Sequence, residues 1–205
     1  MNKQHNIIKQ LSGKQLYHHV LGTQLIIFTF AIVLGIFLFK DDSQSFFRMF
    51  NLDYLLVLIG VITGLLIAFI DILLMKVLPF KYYNDGGVKE KLFSSLSIGK
   101  IIVLALCIAI SEELLFRGVI QTTSGIVVAS LLFAVVHFRY FAHWFLALNI
   151  LTLSFLIGWI YDWTESIWTT IILHFIVDCV LGLYLQKQSK YNIRKEGEPH
   201  ETRSI

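Results

Sequence analysis

Proline is almost missing from this chain of 205 residues, which has two, Pro79 and Pro199. With so few helix breakers, the long apolar stretches are free to run as uninterrupted helices. Cysteine is equally scarce, and both copies, Cys107 and Cys179, lie inside apolar runs where there are no loops to staple. That placement excludes a secreted disulfide scaffold and reads as two small buried hydrophobes. Charge is the third shortage: 15% of residues are charged, against about a quarter in soluble domains. The hydrophobic share is 56% and the mean hydropathy +0.71. A cytoplasmic soluble enzyme and a single-anchor receptor are both excluded, and the partner these numbers imply is a lipid bilayer. Net charge is +3, with basic residues near the termini and in one loop instead of on an aromatic-interleaved face, so no nucleic-acid partner is expected.

Apolar runs at 20–39, 52–78, 98–120, 126–137, 144–161 and 167–185 predict an all-α polytopic membrane bundle of about six transmembrane helices. The first run follows Lys3, Lys9 and Lys14 and lacks a small-residue cleavage site, so it reads as a retained span. In the second, Gly60 and Gly64 form a small-xxx-small pair. Either they admit a close neighbouring helix, or they reflect how common glycine is in spans. Positive residues gather at the N-terminus, in the loop after Pro79 (Lys81, Lys89, Lys91) and in the tail (Lys187, Lys190, Arg194, Lys195, Arg203), while the 161–165 turn is acidic. The positive-inside rule then predicts a multi-pass protein of the cell membrane with both termini cytoplasmic. The expected organisation is a cytoplasmic segment 1–19, two spans with a basic loop over 20–97, a four-helix core over 98–185 and a polar tail 186–205. Trp144, Trp159, Trp163 and Trp168 read as interface anchors.

Ionisable side chains inside spans are costly and mark functional sites unless they pair structurally. Those of interest here are Asp71, Glu112, Glu113, Arg117, His137, His174 and Asp178. In a helix Glu113 and Arg117 are four apart, on one face and in the favoured acid-before-base order, so they form an ion pair. Glu112 points elsewhere and is left for general acid or base chemistry; alternatively, both glutamates and the arginine make one structural network. His174 and Asp178 also share a helix face. Counting about 1.5 Å per residue from the expected turns near Thr122, Thr123, Trp163 and Thr164 puts Glu112 and His174 about 15 Å from one surface, with His137 about 6 Å deeper. The three groups can therefore converge near the bilayer midplane. No H-E-x-x-H, rhomboid G-x-S-G or presenilin-like G-x-G-D motif is present. Ser111 neighbours Glu112 without facing it, and neither cysteine has an activating base, so none of these is expected to be a nucleophile. A proton-relay transporter would show repeats or broken helices, and the sequence shows neither.

Glu112-Glu113-x-x-x-Arg117, Phe133-x-x-x-His137 and His174-x-x-x-Asp178, in that order on separate apolar helices, resemble the CPBP family (CAAX proteases and bacteriocin-processing enzymes, also called Abi), in its bacterial form. The resemblance spans about residues 98–185. It implies an intramembrane endopeptidase in which Glu112 is the general base, His137 helps hold the water, His174 with Asp178 serves the oxyanion, and Glu113 and Arg117 support them. Eukaryotic prenyl-protein enzymes carry asparagine where this chain has Asp178. An ionised aspartate cannot donate to an oxyanion, so Asp178 is expected to orient His174, keep it protonated or bind a metal. The expectation is a metal-free glutamate mechanism without a cofactor. The alternative is a zinc metalloprotease with Glu112, His137, His174 and Asp178 as ligands. Expected substrates are membrane-associated peptides or lipidated proteins of CAAX, pheromone or bacteriocin type. The alternative function is bacteriocin self-immunity, or a scaffold that binds without proteolysis.

Overall fold

The structure, a computed structural model, describes residues 10–197; Lys3, Lys9, Pro199 and Arg203 lie outside them. Among the described residues the chain is helical throughout, with no strand. Helix α1, Gly13–Leu38, starts earlier than the apolar run because a capping box sets it: Ser12 Oγ accepts from the Gln15 amide and the Gln15 side chain accepts from the Ser12 amide. A short helix α2, Ser43–Arg48, leads to α3, Tyr54–Val77, capped by Asp53. The loop holds a 3-10 turn, Phe80–Tyr82, and helix α4, Val88–Ser94. Then come α5, Ile98–Glu113, a π-helix, Leu114–Gln121, α6, Thr122–Val136, α7, Trp144–Thr164, and α8, Ile167–Gly197.

Among the described residues five helical stretches are long and apolar enough to cross a membrane, and the third, Ile98–Val136, has 39 residues, about twice what a span requires. It is folded in two. The Phe116 and Phe133 rings lie 5.0 Å apart, whereas the same residues on one straight helix would be about 25 Å apart. The reversal falls at Gly125, with φ 83° and ψ 166°, a conformation open to glycine and strained for other residues. Its two arms correspond to the third and fourth apolar runs, and the second, 126–136, at about 1.5 Å per residue is shorter than a membrane crossing. The reversal comes slightly later than Thr122 and Thr123, which stay helical with their hydroxyls donating to the Arg117 and Val119 carbonyls.

Helix α8 packs along α3, α5 and α7 and is the axis of the bundle. Its approach to α3 depends on the glycine pair: a Cβ on Gly60 would sit 2.5 Å from the Thr169 carbonyl oxygen, and one on Gly64 would sit 2.8 Å from that of Leu173. The pair therefore admits a close neighbour. The outer face of α1 and α3 is aliphatic, with Leu25, Ile26, Phe37, Leu55 and Phe69 exposed, as expected where the surrounding solvent is lipid. Trp144, Trp159 and Trp163 are likewise exposed. Trp168 departs from the expected anchoring role: it is half-buried, its indole N–H donates to the Phe50 carbonyl at 2.9 Å, and the neighbouring Ile167 amide donates to Met49. Both bonds fasten the start of α8 to the segment after α2. Cys107 and Cys179 are half-buried free thiols.

Replacing Gly60 by valine is expected to lower stability by about 1–3 kcal/mol, because the clash is with backbone that can only move by separating two helices. Gly22→Ala, where nothing lies within 4 Å of the added carbon, should leave the melting temperature in detergent unchanged. Equal melting of the two variants would contradict the α3–α8 contact.

Candidate active site

Glu113 is wholly buried at the end of α5, and Arg117, one turn on, is 1% exposed. Arg117 Nε stands 3.4 Å from Glu113 Oε2, the pair that the i,i+4 spacing predicts. It is a Coulombic contact more than an aligned hydrogen bond, because neither atom meets hydrogen-bond geometry. The guanidinium is held elsewhere. Its Nη2 donates to the Ser154 carbonyl at 3.0 Å and hydroxyl at 3.1 Å on α7, and its centre lies 4.9 Å over the Phe133 ring. The other oxygen of Glu113 accepts from His174 Nδ1 at 2.7 Å. One carboxylate thus ties α5 and the π-helix to α8.

The π-helix gives this stretch a different winding from the regular α-helix that the spacing suggested. The Thr122 amide and hydroxyl both donate to the Arg117 carbonyl five residues back. Seven of its eight residues are buried, because α1, α6 and α7 enclose it. Gln121 adds a tie to α7 through Gly158 and Asp162.

His174 Nε2 faces Asp178 Oδ2 at 3.6 Å, one turn along α8, as expected from their spacing. His174 therefore has a carboxylate at each ring nitrogen. His137, at the end of α6, directs Nδ1 to the Phe133 carbonyl at 2.8 Å. A carbonyl only accepts, so Nδ1 carries the proton and Nε2 keeps its lone pair. Phe133 lies between the two histidines, 4.6 Å from the His137 ring and 6.3 Å from that of His174.

Glu112 is 5% exposed and diverges from Glu113, as the helix geometry required. It is not without a partner: Gln24 Nε2, from α1, donates to its Oε1 at 3.2 Å. The sequence reading passed over Gln24, although it is the one amide side chain in the aliphatic run 20–39. Glu112, His137, His174 and Asp178 all line one cavity of about 330 Å³, which extends to Tyr83, Asn84 and Arg139 beyond the spans. Asp71, bonded to Asn149, stands on the same wall.

Of the residues in the zinc alternative, His174 directs Nδ1 to Glu113 at 2.7 Å and sets Nε2 3.6 Å from Asp178 Oδ2. Among the described residues no three His, Cys, Asp or Glu side chains gather as a metal cluster.

Residues 94–180 match the family described as type II CAAX prenyl endopeptidase Rce1-like. The chain is also 39% identical, over 165 residues, to the uncharacterized protein YpbD of Bacillus subtilis (strain 168), covering 80% of this chain and 87% of that protein. It belongs to the Rce1-like family. No solved structure matches the chain. Membership in the Rce1-like family implies an intramembrane endopeptidase. The matched segment contains Glu112, Glu113, Arg117, His137, His174 and Asp178, whereas Gln24 and Asp71 reach the cavity from helices outside it.

Removing the cation from this pairing should show first in stability. Arg117→Met leaves the Glu113 charge facing only His174 and is expected to cost about 3–5 kcal/mol, while Ser154→Ala, which spares the carbonyl acceptor, should cost about 1 kcal/mol. Thermal melting of the purified variants in detergent reads both. Near-equal losses would mean that the Glu113–Arg117 pairing does not carry the fold.

Proposed function

We propose that this protein hydrolyses peptide bonds in membrane-associated peptides or lipidated proteins with a water activated by Glu112 and His137, without a metal. The observation that carries this reading is the contrast between the two adjacent glutamates. Glu113 is in direct contact with a cation and a histidine, while the side-chain hydrogen bond to Glu112 comes from a neutral amide and Glu112 lines the cavity. A carboxylate whose direct hydrogen-bond partner is neutral keeps its capacity to take a proton.

Water bound between Glu112 and the free Nε2 of His137 gives one proton to Glu112 as its oxygen attacks the scissile carbonyl carbon. The resulting oxyanion is received at protonated His174, whose Nε2 faces both the cavity and Asp178. At 3.6 Å the two are too far apart for a hydrogen bond, and the carboxylate instead attracts the positive charge of a protonated imidazole. Here Asp178 acts by keeping His174 a donor, the role left to it where asparagine would donate directly. The tetrahedral intermediate collapses with cleavage of the C–N bond, and the proton on Glu112 passes to the leaving amine.

A helical substrate hides its carbonyls in hydrogen bonds, so the cleaved segment must be unwound when it enters. The cavity continues to Tyr83, Asn84 and Arg139, next to the loop whose lysines mark a cytoplasmic position. We take access to be from that side, with both termini there as well.

Purified protein should cleave members of a quenched library of prenylated and unprenylated peptides. Glu112→Gln is expected to lower the rate by about 10²–10⁴-fold, and a chelator should change nothing. Full activity in Glu112→Gln would sink the glutamate mechanism, and chelator inhibition reversed by zinc would reinstate the metal.

A further inference from the structure

A glutamine in an apolar membrane helix is tolerated where both ends of its amide are satisfied away from lipid. Gln24 meets that condition: it is 7% exposed, while its neighbours Leu25 and Ile26 are 67% and 70% exposed. Its Oε1 accepts from Ser111 Oγ at 2.5 Å and its Nε2 donates to Glu112 Oε1 at 3.2 Å. The Ser111 hydroxyl has two other acceptors in reach, the carbonyls of Cys107 at 2.7 Å and Ile108 at 3.1 Å, and Gln24 is the closest of the three. Flipping the amide would set its oxygen against a carboxylate oxygen, two acceptors face to face, so one orientation is selected.

We infer that Gln24, oriented by Ser111, is a positioning residue that holds Oε1 of Glu112 and thereby assigns Oε2 as the oxygen that takes the proton from water. Oε2 has no donor among the described residues, and Glu112 lines the cavity. The device depends on a neutral donor. A lysine or arginine at this place would fix Glu112 equally well but would also neutralise it, as Arg117 does for Glu113, and the base would be lost. The first helix therefore supplies more than a hydrophobic wall. It completes the site from outside the segment that matches the family.

The inference rests on the proposed role of Glu112, and the experiment separates the two. Steady-state kinetics on one cleaved fluorogenic peptide would compare wild type, Glu112→Gln, Gln24→Leu, Ser111→Ala and the Gln24→Leu/Ser111→Ala double variant, each with its melting temperature in detergent. A hydrogen bond to a charged group implies that Gln24→Leu lowers kcat about ten- to hundred-fold, with KM held within about two-fold. Ser111→Ala should lower kcat by less, and add nothing on the Gln24→Leu background, because it acts only through Gln24. Wild-type kcat in Gln24→Leu, an effect on KM alone, or losses that multiply in the double variant would each overturn the inference while leaving the role of Glu112 standing. Full activity in Glu112→Gln would instead overturn the underlying reading. If Gln24→Leu does not fold, Gln24→Asn replaces it: the amide remains but is one methylene too short to span Ser111 and Glu112. The same kcat loss is expected, and wild-type kcat overturns the inference.

Discussion

A carboxylate with no exposed surface has to be compensated on all sides, and Glu113 makes that demand at the centre of the bundle. Its two oxygens face Arg117 and His174. Each of these partners makes a further demand in turn: the guanidinium needs Ser154 on α7 and the Phe133 ring on α6, and the imidazole needs Asp178 one turn along α8. Four helices and the π-helix are thus held in register by one chain of polar contacts. In lipid, apolar packing distinguishes helix from helix poorly, so such a chain specifies an arrangement that the aliphatic surfaces cannot. The glycine pair on α3 has the complementary effect, bringing backbone within van der Waals range of α8 where side chains would hold it away.

The same arrangement separates structure from chemistry within two adjacent residues. Glu113 gives its charge to the fold, and Glu112, about 100° around the helix, meets a cavity and a neutral amide. Both histidines are similarly fixed through Nδ1, His137 by a carbonyl and His174 by a carboxylate. That difference suits one to hold water through a lone pair and the other to supply a proton. The groups to which the proposed mechanism assigns hydrolysis are therefore oriented before substrate arrives, the condition under which electrostatic stabilisation costs least reorganisation.

Much of this was legible in the sequence because the signals were local. Apolar runs located the long helices, and the reversal at Gly125 divides 98–120 from 126–137 as two arms of one of the five candidate spans among the described residues. The four-residue spacings gave the Glu113–Arg117 and His174–Asp178 contacts. What escaped was long-range. His174 lies 61 residues from Glu113, and Gln24 lies 88 from Glu112, and no periodicity within one helix reports which neighbour it will face. The π-helix was hidden too, since its pairing with Thr122 appears only once α1, α6 and α7 surround it. Gln24 could have been flagged by the rule applied to the charged residues, because an amide in a lipid-facing run needs a partner as well. Trp168 misled for the opposite reason: a tryptophan near a span end resembles an anchor until a carbonyl is found for its N–H.

The central claim, that Glu112 acts through water and forms no bond to the substrate, is tested most directly by a single turnover in oxygen-18 water, with protein in excess over a cleaved peptide. Mass spectrometry would then be run on the product carboxyl group and on the peptide that contains Glu112. The account predicts one solvent oxygen in the product carboxyl and none in Glu112. Solvent oxygen found in the Glu112 side chain, with none in the first-turnover product, would show an acyl-enzyme intermediate on the glutamate and contradict the account.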